Sequence, residues 1–237
     1  MIREMHAAIF DLDGVIVNTA RYHYLAWKRL ANELGFDFTE QDNERLKGVS
    51  RARSLEILLE IGGLQVDEAT RHHLADRKNR WYVEMLQTMD QSEILPGAAD
   101  YLHWLRQRGV KIALGSASQN APLILERLQL TSLFDVVIDG RQVQCAKPHP
   151  QVFLLAAEAL NVVPAYCVVF EDAAAGIEAA RRAGMGCVGI GNPLILKEAD
   201  VVVPGLYALL VLTGLSPAFP PSTHRVSNIA PRPAPPA

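Results

Sequence analysis

The chain has 237 residues, of which 49% are hydrophobic and 21% charged, with a formal net charge of −3. That length suits one large or two small domains with an ample core, and the composition is that of a soluble globular protein. The slight negative charge and scattered arginines give no support for a general nucleic-acid binder. Cys145, Cys167 and Cys187 are widely spaced and form no CxxC pair, which argues against a disulfide framework or zinc site and for reduced thiols in the cytoplasm.

Arg3, Glu4 and His6 near the start, with only a short apolar stretch after them, predict no secretory signal, and no apolar run reaches the ~20 residues of a membrane span. The expected state is a cytoplasmic monomer with no membrane or nucleic-acid partner. The first element is the run Ala8-Ile9-Phe10, which reads as a buried strand ending in Asp11-Leu12-Asp13-Gly14. Two carboxylates side by side cost electrostatic energy unless something neutralises them. A magnesium ion with oxygen ligands would do so. Alone, the stretch is equally well a strand end and an ordinary Asp-Gly turn.

From Thr19 to Leu86 the pattern is helical. Ala20, Tyr24, Trp27, Leu30, Ala31 and Leu34 recur at helical spacing, and Gly35 is a stop. A second helix follows Ser50 and ends at Gly62-Gly63, and a third runs from about Val66 to Leu86. With no strand in this span, it reads as a separate helical bundle. From Pro96 short apolar strands alternate with helices. Strands are expected at Val110–Leu114, Asp135–Ile138, Cys167–Phe170, Gly186–Ile190 and Asp200–Val203. Helices are expected after Pro96-Gly97, from about Asn120, at Pro150–Leu160 and at Ala173–Ala183. Such alternation implies parallel βαβ units. The fold class is therefore α/β: a Rossmann-like parallel-sheet core of residues 1–16 and 93–215, interrupted by an α-helical cap subdomain of residues 17–92. The proline-rich tail, residues 216–237, is expected to be disordered.

In open α/β sheets, sites form at the carboxyl ends of strands. Four expected strand ends carry chemistry. Asp11 and Asp13 stand at the first, and Ser116, Ala117 and Ser118 lead from the second towards Asn120. Lys147 follows the third, and Glu171-Asp172 ends the fourth. Each alone has a plain alternative: a capping serine, a solvated lysine, or acidic residues favouring a helix N-terminus. Acid pair, hydroxyl, lysine and acid pair at successive strand ends make a joint pattern.

With those four motifs the sequence resembles the haloacid dehalogenase superfamily of phosphotransferases, over about residues 5–205. The resemblance implies a mobile cap over a Rossmann-like core. It implies Asp11 as nucleophile forming an aspartyl-phosphate, and Asp13 as general acid and base. It places magnesium on Asp11, the Asp13 carbonyl and Asp172, with Glu171 close by. Ser116 and Lys147 would hold the other phosphoryl oxygens. Asp13 favours phosphate chemistry over dehalogenation, which needs no proton shuttle to a sugar hydroxyl.

The cap selects the substrate. Thr19, His23 and Trp27 share one helical face, and Leu46-Lys47-Gly48-Val49-Ser50-Arg51 forms a loop whose Lys47 and Arg51 flank a glycine and a serine. That loop suits an anion, although packing and an N-cap serine are the plain readings. A phosphate in the core and another at the cap imply a bisphosphorylated ligand. Both stretches, with Lys78 and Ser116-Ala117-Ser118-Gln119-Asn120, are similar to the sugar phosphomutases of that superfamily. The implied reaction interconverts β-D-glucose 1-phosphate and glucose 6-phosphate through β-glucose 1,6-bisphosphate, with His23 helping Asp13 engage only when the cap is shut. Asn18 stands where the family usually has aspartate. The rivals are a sugar-phosphate or phosphoglycolate-type phosphatase, and a non-catalytic binding protein on a decayed scaffold.

Overall fold

The computed structural model describes residues 5–46 and 49–212, so the expectation for the tail lies outside the described residues. Strand β1 (Ala7–Phe10) is followed by four cap helices: α1 (Ala20–Glu33), α2 (Glu40–Glu44), α3 (Arg51–Ile61) and α4 (Glu68–Leu86). The core then resumes with α5 (Ala98–Gln107), β2 (Lys111–Gly115), α6 (Ala121–Arg127), β3 (Val136–Ile138) and α7 (Gln151–Leu160). It finishes with β4 (Cys167–Glu171), α8 (Ala174–Arg182), β5 (Gly186–Ile190), β6 (Val201–Val203) and α9 (Leu206–Leu212). The six strands form one parallel sheet in the order β3-β2-β1-β4-β5-β6.

Strands covered on both faces need unbroken apolar runs rather than alternation. In β1, Ala8 and Phe10 pack on one face with side chains of α5, α6 and α9, while Ala7 and Ile9 pack on the other with α7 and α8. The cap has its own buried cluster, with Trp27 and Leu30 from α1, Leu55 and Leu58 from α3, and Leu74 from α4. It is not a free-standing bundle, however. Tyr82 and Leu86, in the last turns of α4, join the buried cluster of the sheet. The two crossings between cap and core run side by side: Leu95 N–H donates to Ile16 O (2.9 Å), and Val17 bridges Ile94.

Helix α2 departs from the sequence expectation. Its five residues carry no apolar periodicity, but Thr39 and Asp42 form a reciprocal capping box that satisfies the first turn. Helix α4 starts at Glu68 rather than near Val66, because the Asp67 side chain accepts from Thr70 N–H. Helix α9 is not among the expected elements; it buries Leu206, Leu209 and Leu210 in the cluster shared with α5.

Candidate active site

The chain leaves β1 outward in one direction to β2 and β3 and returns to β4 on its other side, so the β1–β4 junction is the topological switch point. Phe10 is level with Leu114 on β2 and Phe170 on β4. The next residues along these three strands, Asp11, Gly115 and Glu171, therefore emerge in one row. Asp11 N–H donates to Phe170 O (2.9 Å), and Ser116 N–H to Ile138 O (3.0 Å). The parallel register thus brings Asp11, Ser116 and Glu171 to one end of the sheet.

Lys147 reaches into this row. Its Nζ lies 2.5 Å from Asp11 Oδ1 and 2.8 Å from Glu171 Oε2, and all three residues are buried. Burial works against the ammonium, but the two carboxylates outweigh it and hold its pKa above the ordinary lysine value. Burial pushes the Glu171 carboxyl up to about 8, against the pull of Lys147. The second oxygen of Glu171 accepts from Ala173 N–H (3.1 Å). Glu171 therefore holds Lys147 in place as well as standing in the acidic set.

One oxygen each from Asp11, Glu171 and Asp172 lie within 4.8 Å of one another. An all-oxygen, partly buried set of this kind fits a magnesium ion. Gly14 makes room for it: its φ is +78°, and a Cβ there would stand 2.0 Å from Asp172 Oδ2. The carboxylate of Asp13 is not in this set, and its reach to a metal would be through the backbone carbonyl. Instead, Asp13 Oδ1 accepts a short hydrogen bond from Thr19 Oγ1. Burial first, and the charge of Asp11 second, push the Asp13 carboxyl up to about 7, where a group can both give and take a proton.

Over the core, the cap presents an inward-facing cluster. Lys78 is buried, with Nζ 2.9 Å from His23 Nδ1, 4.5 Å above the Trp27 ring and 4.7 Å above that of Tyr82. The His23 ring lies tilted against that of Tyr82, with the ring centroids 4.1 Å apart. Burial, then the charges of Lys78 and Arg51, hold the His23 pKa well below its usual value. Burial and the charge of Arg51 likewise depress Lys78.

A cavity of about 520 Å³ lies between cap and core. From the core it is lined by Asp11, Asp13, Ser116, Ala117, Ser118, Asn120 and Asp172, and from the cap by Thr19, His23, Trp27, Val49, Ser50, Arg51 and Lys78. Ser50 also N-caps α3, accepting from Arg53 N–H (3.3 Å). Lys147 opens onto an adjoining smaller cavity that shares Ser116 and Ala117, and Glu171 lies behind Lys147. Lys47 and Gly48 lie outside the described residues. Asn18 lines the cavity and accepts from Ala20 N–H (3.3 Å) at the start of α1. Asn43, Ser54 and Asn79 also line it and were missed in the sequence. Asn43 sits on α2, which has no apolar periodicity, while Asn79 directly follows Lys78 and was within reach.

This arrangement is a phosphoryl-transfer site on a doubly wound core, and residues 5–184 match the model of the haloacid dehalogenase-like hydrolases. The chain belongs to that family. Among its relatives, it is 44% identical to the beta-phosphoglucomutase of Bacillus subtilis over 201 residues, covering 84% of this chain and 89% of the relative. It superposes on the beta-phosphoglucomutase of Clostridium difficile with a TM-score of 0.84 at 42% identity, covering 86% of this chain and 93% of that one. It is also 36% identical to a fructose-1-phosphate phosphatase of Escherichia coli, over 77% of this chain and 94% of the relative. Among the described residues no helix is long and apolar enough to cross a membrane.

Proposed function

We propose that the chain interconverts β-D-glucose 1-phosphate and glucose 6-phosphate through β-glucose 1,6-bisphosphate, with residues 17–92 as the cap and residues 1–16 and 93–215 as the catalytic core. The observation that carries this reading is a cleft between cap and core lined by anion-binding groups from both sides. Ser116 and, in the adjoining cavity, Lys147 lie beside Asp11, while Arg51 and Ser50 face them from the cap. A phosphatase for a sugar monophosphate has less need of the second set. The identity to two beta-phosphoglucomutases supports the same choice.

Asp11 attacks phosphorus and carries the phosphoryl group as an aspartyl-phosphate. Asp13, held by Thr19 and poised near pH 7, protonates the departing sugar oxygen and later takes the proton from the attacking hydroxyl. Ser116 and Lys147 bind phosphoryl oxygens, and Lys147 is oriented by Glu171. Asp11 and Asp172 would hold a magnesium ion, with Glu171 beside them, and the family resemblance adds the Asp13 carbonyl. When bound, the ion lowers repulsion between the anionic nucleophile and the phosphoryl group. His23 and Lys78 link the cap to this centre, and Arg51, with Lys47, takes the phosphate that is not reacting, while Ser118 and Asn120 belong to the core phosphate loop. The sugar turns over between half-reactions so that each phosphate visits each end. We also read the chain as a cytoplasmic monomer that acts on phosphorylated sugars.

The deciding assay supplies β-glucose 1-phosphate, catalytic bisphosphate and magnesium, and follows glucose 6-phosphate against free phosphate. Isomerisation is expected. Phosphate release without isomerisation would instead support the sugar-phosphate phosphatase reading, which the resemblance to the Escherichia coli phosphatase favours.

A further inference from the structure

Asn79 lies one residue beyond Lys78 on α4, and nothing above gives it a role. Its Oδ1 accepts from Asn120 Nδ2 at 2.9 Å. Asn79 belongs to the cap and Asn120 to the core, so this bond crosses the cleft. Both residues line the cavity.

Asn120 ends a hydrogen-bond chain that begins at the reacting end. Ser116 Oγ accepts from Ser118 N–H (3.1 Å), and Ser118 Oγ accepts from Asn120 N–H (3.3 Å). The loop is also braced from behind. Gly140 N–H donates to Ser118 O (3.3 Å), and a Cβ on Gly140 would stand only 2.3 Å from Ala117 O. These bonds tie Ser116 to Asn120 through one braced loop. A carboxamide has two N–H groups. Asn120 uses one on Asn79 and has a second for a ligand oxygen.

We propose that Asn79 is a positioning residue that latches the shut cap onto the 116–120 loop. The latch is strongest when that loop holds its anion-binding shape, so the cap stays closed over the aspartyl-phosphate until the sugar hydroxyl has taken its phosphoryl group and Asp11 is free again. It thereby sets the partition between transfer to sugar and hydrolysis by water. The claim rests on the mutase reading above.

The test measures the ratio of free phosphate to glucose 6-phosphate formed from β-glucose 1-phosphate with catalytic bisphosphate and magnesium. Loss of one neutral hydrogen bond corresponds to about a threefold to tenfold change, so Asn79→Ala raises that ratio by this factor. Asn79→Gln keeps a carboxamide and returns most of the way to the wild-type ratio, a rescue that a purely structural role of the position would not produce. Asn79→Ser, assayed in parallel with melting curves, covers simple failure of the alanine variant to fold. An unchanged ratio in folded Ala or Ser variants overturns the latch, as does a Gln variant no better than Ala. The wild-type control separates the two ideas. No isomerisation by the wild type refutes the mutase reading and the partition claim together. Isomerisation by the wild type with unchanged ratios in the variants refutes the latch alone.

Discussion

Replacing Lys147 by Met tests the electrostatic arrangement of the core directly. The side chain is 1% exposed and joins Asp11 (10%) and Glu171 (1%), so its removal leaves two buried carboxylates facing each other. Breaking a buried pair by deleting one partner costs about 3–5 kcal/mol. Set against a typical total of about 5–15 kcal/mol, that is a large share of the stability. For a chain of this size it corresponds to a fall in Tm of roughly 6–20 °C, at about 2–4 °C per kcal/mol. The loss must depend on pH. Burial already raises Glu171 to about 8 in the folded protein, and removal of the lysine charge raises it further. A raised folded pKa contributes stability that is complete below the unfolded value and is lost as pH rises through the folded value. The metal-free variant is therefore penalised less at pH 6, where Glu171 takes up a proton, than at pH 9, where it must ionise. Urea unfolding of wild type and Lys147→Met at both pH values measures this. An equal loss at both, or none, refutes the reasoning.

Asp11→Asn removes the proposed nucleophile and is expected to abolish turnover of every phosphorylated substrate, read as loss of both isomer and phosphate. Gly14→Ala drives a methyl group onto Asp172 Oδ2 and demands φ +78° of an alanine; we expect about 10–100-fold weaker magnesium activation, on the scale of lost support around a metal ligand, and unchanged magnesium titration would contradict the packing argument. Arg51→Ala is expected to impair isomerisation while slow phosphorylation of Asp11 persists; full mutase activity would remove Arg51 from its role. Asp13 must be protonated to release the sugar from its phosphate. With its pKa pushed up to about 7, single-turnover phosphorylation of Asp11 by the bisphosphate should decline as pH rises through that value, and a flat profile to pH 9 would count against Asp13 as the acid.

The sequence by itself determined the local features. Short apolar runs broken by carboxylates, as in Ala7–Phe10 followed by Asp11, mark strands that end at a site, because a strand covered on both faces tolerates no polar residue until it emerges. Helical periodicity likewise revealed α1 and α3, and the Ser50 cap was legible from its position alone. Contacts between residues far apart in the chain were decided only by the tertiary structure. No local pattern announces that Lys147 bonds Asp11, 136 positions away, or that Glu171 spends one oxygen on that lysine and the other on Ala173 N–H. His23 and Lys78 were each visible, but their 2.9 Å contact exists because α1 and α4 pack together across 55 residues of chain. Helix α2 escaped notice because a capping box, not an apolar stripe, holds it. Burial finished the chemistry. The carboxyl of Asp13 is an ordinary one in the unfolded chain, and it is pushed up to about 7 only where folding strips its water and sets Asp11 beside it.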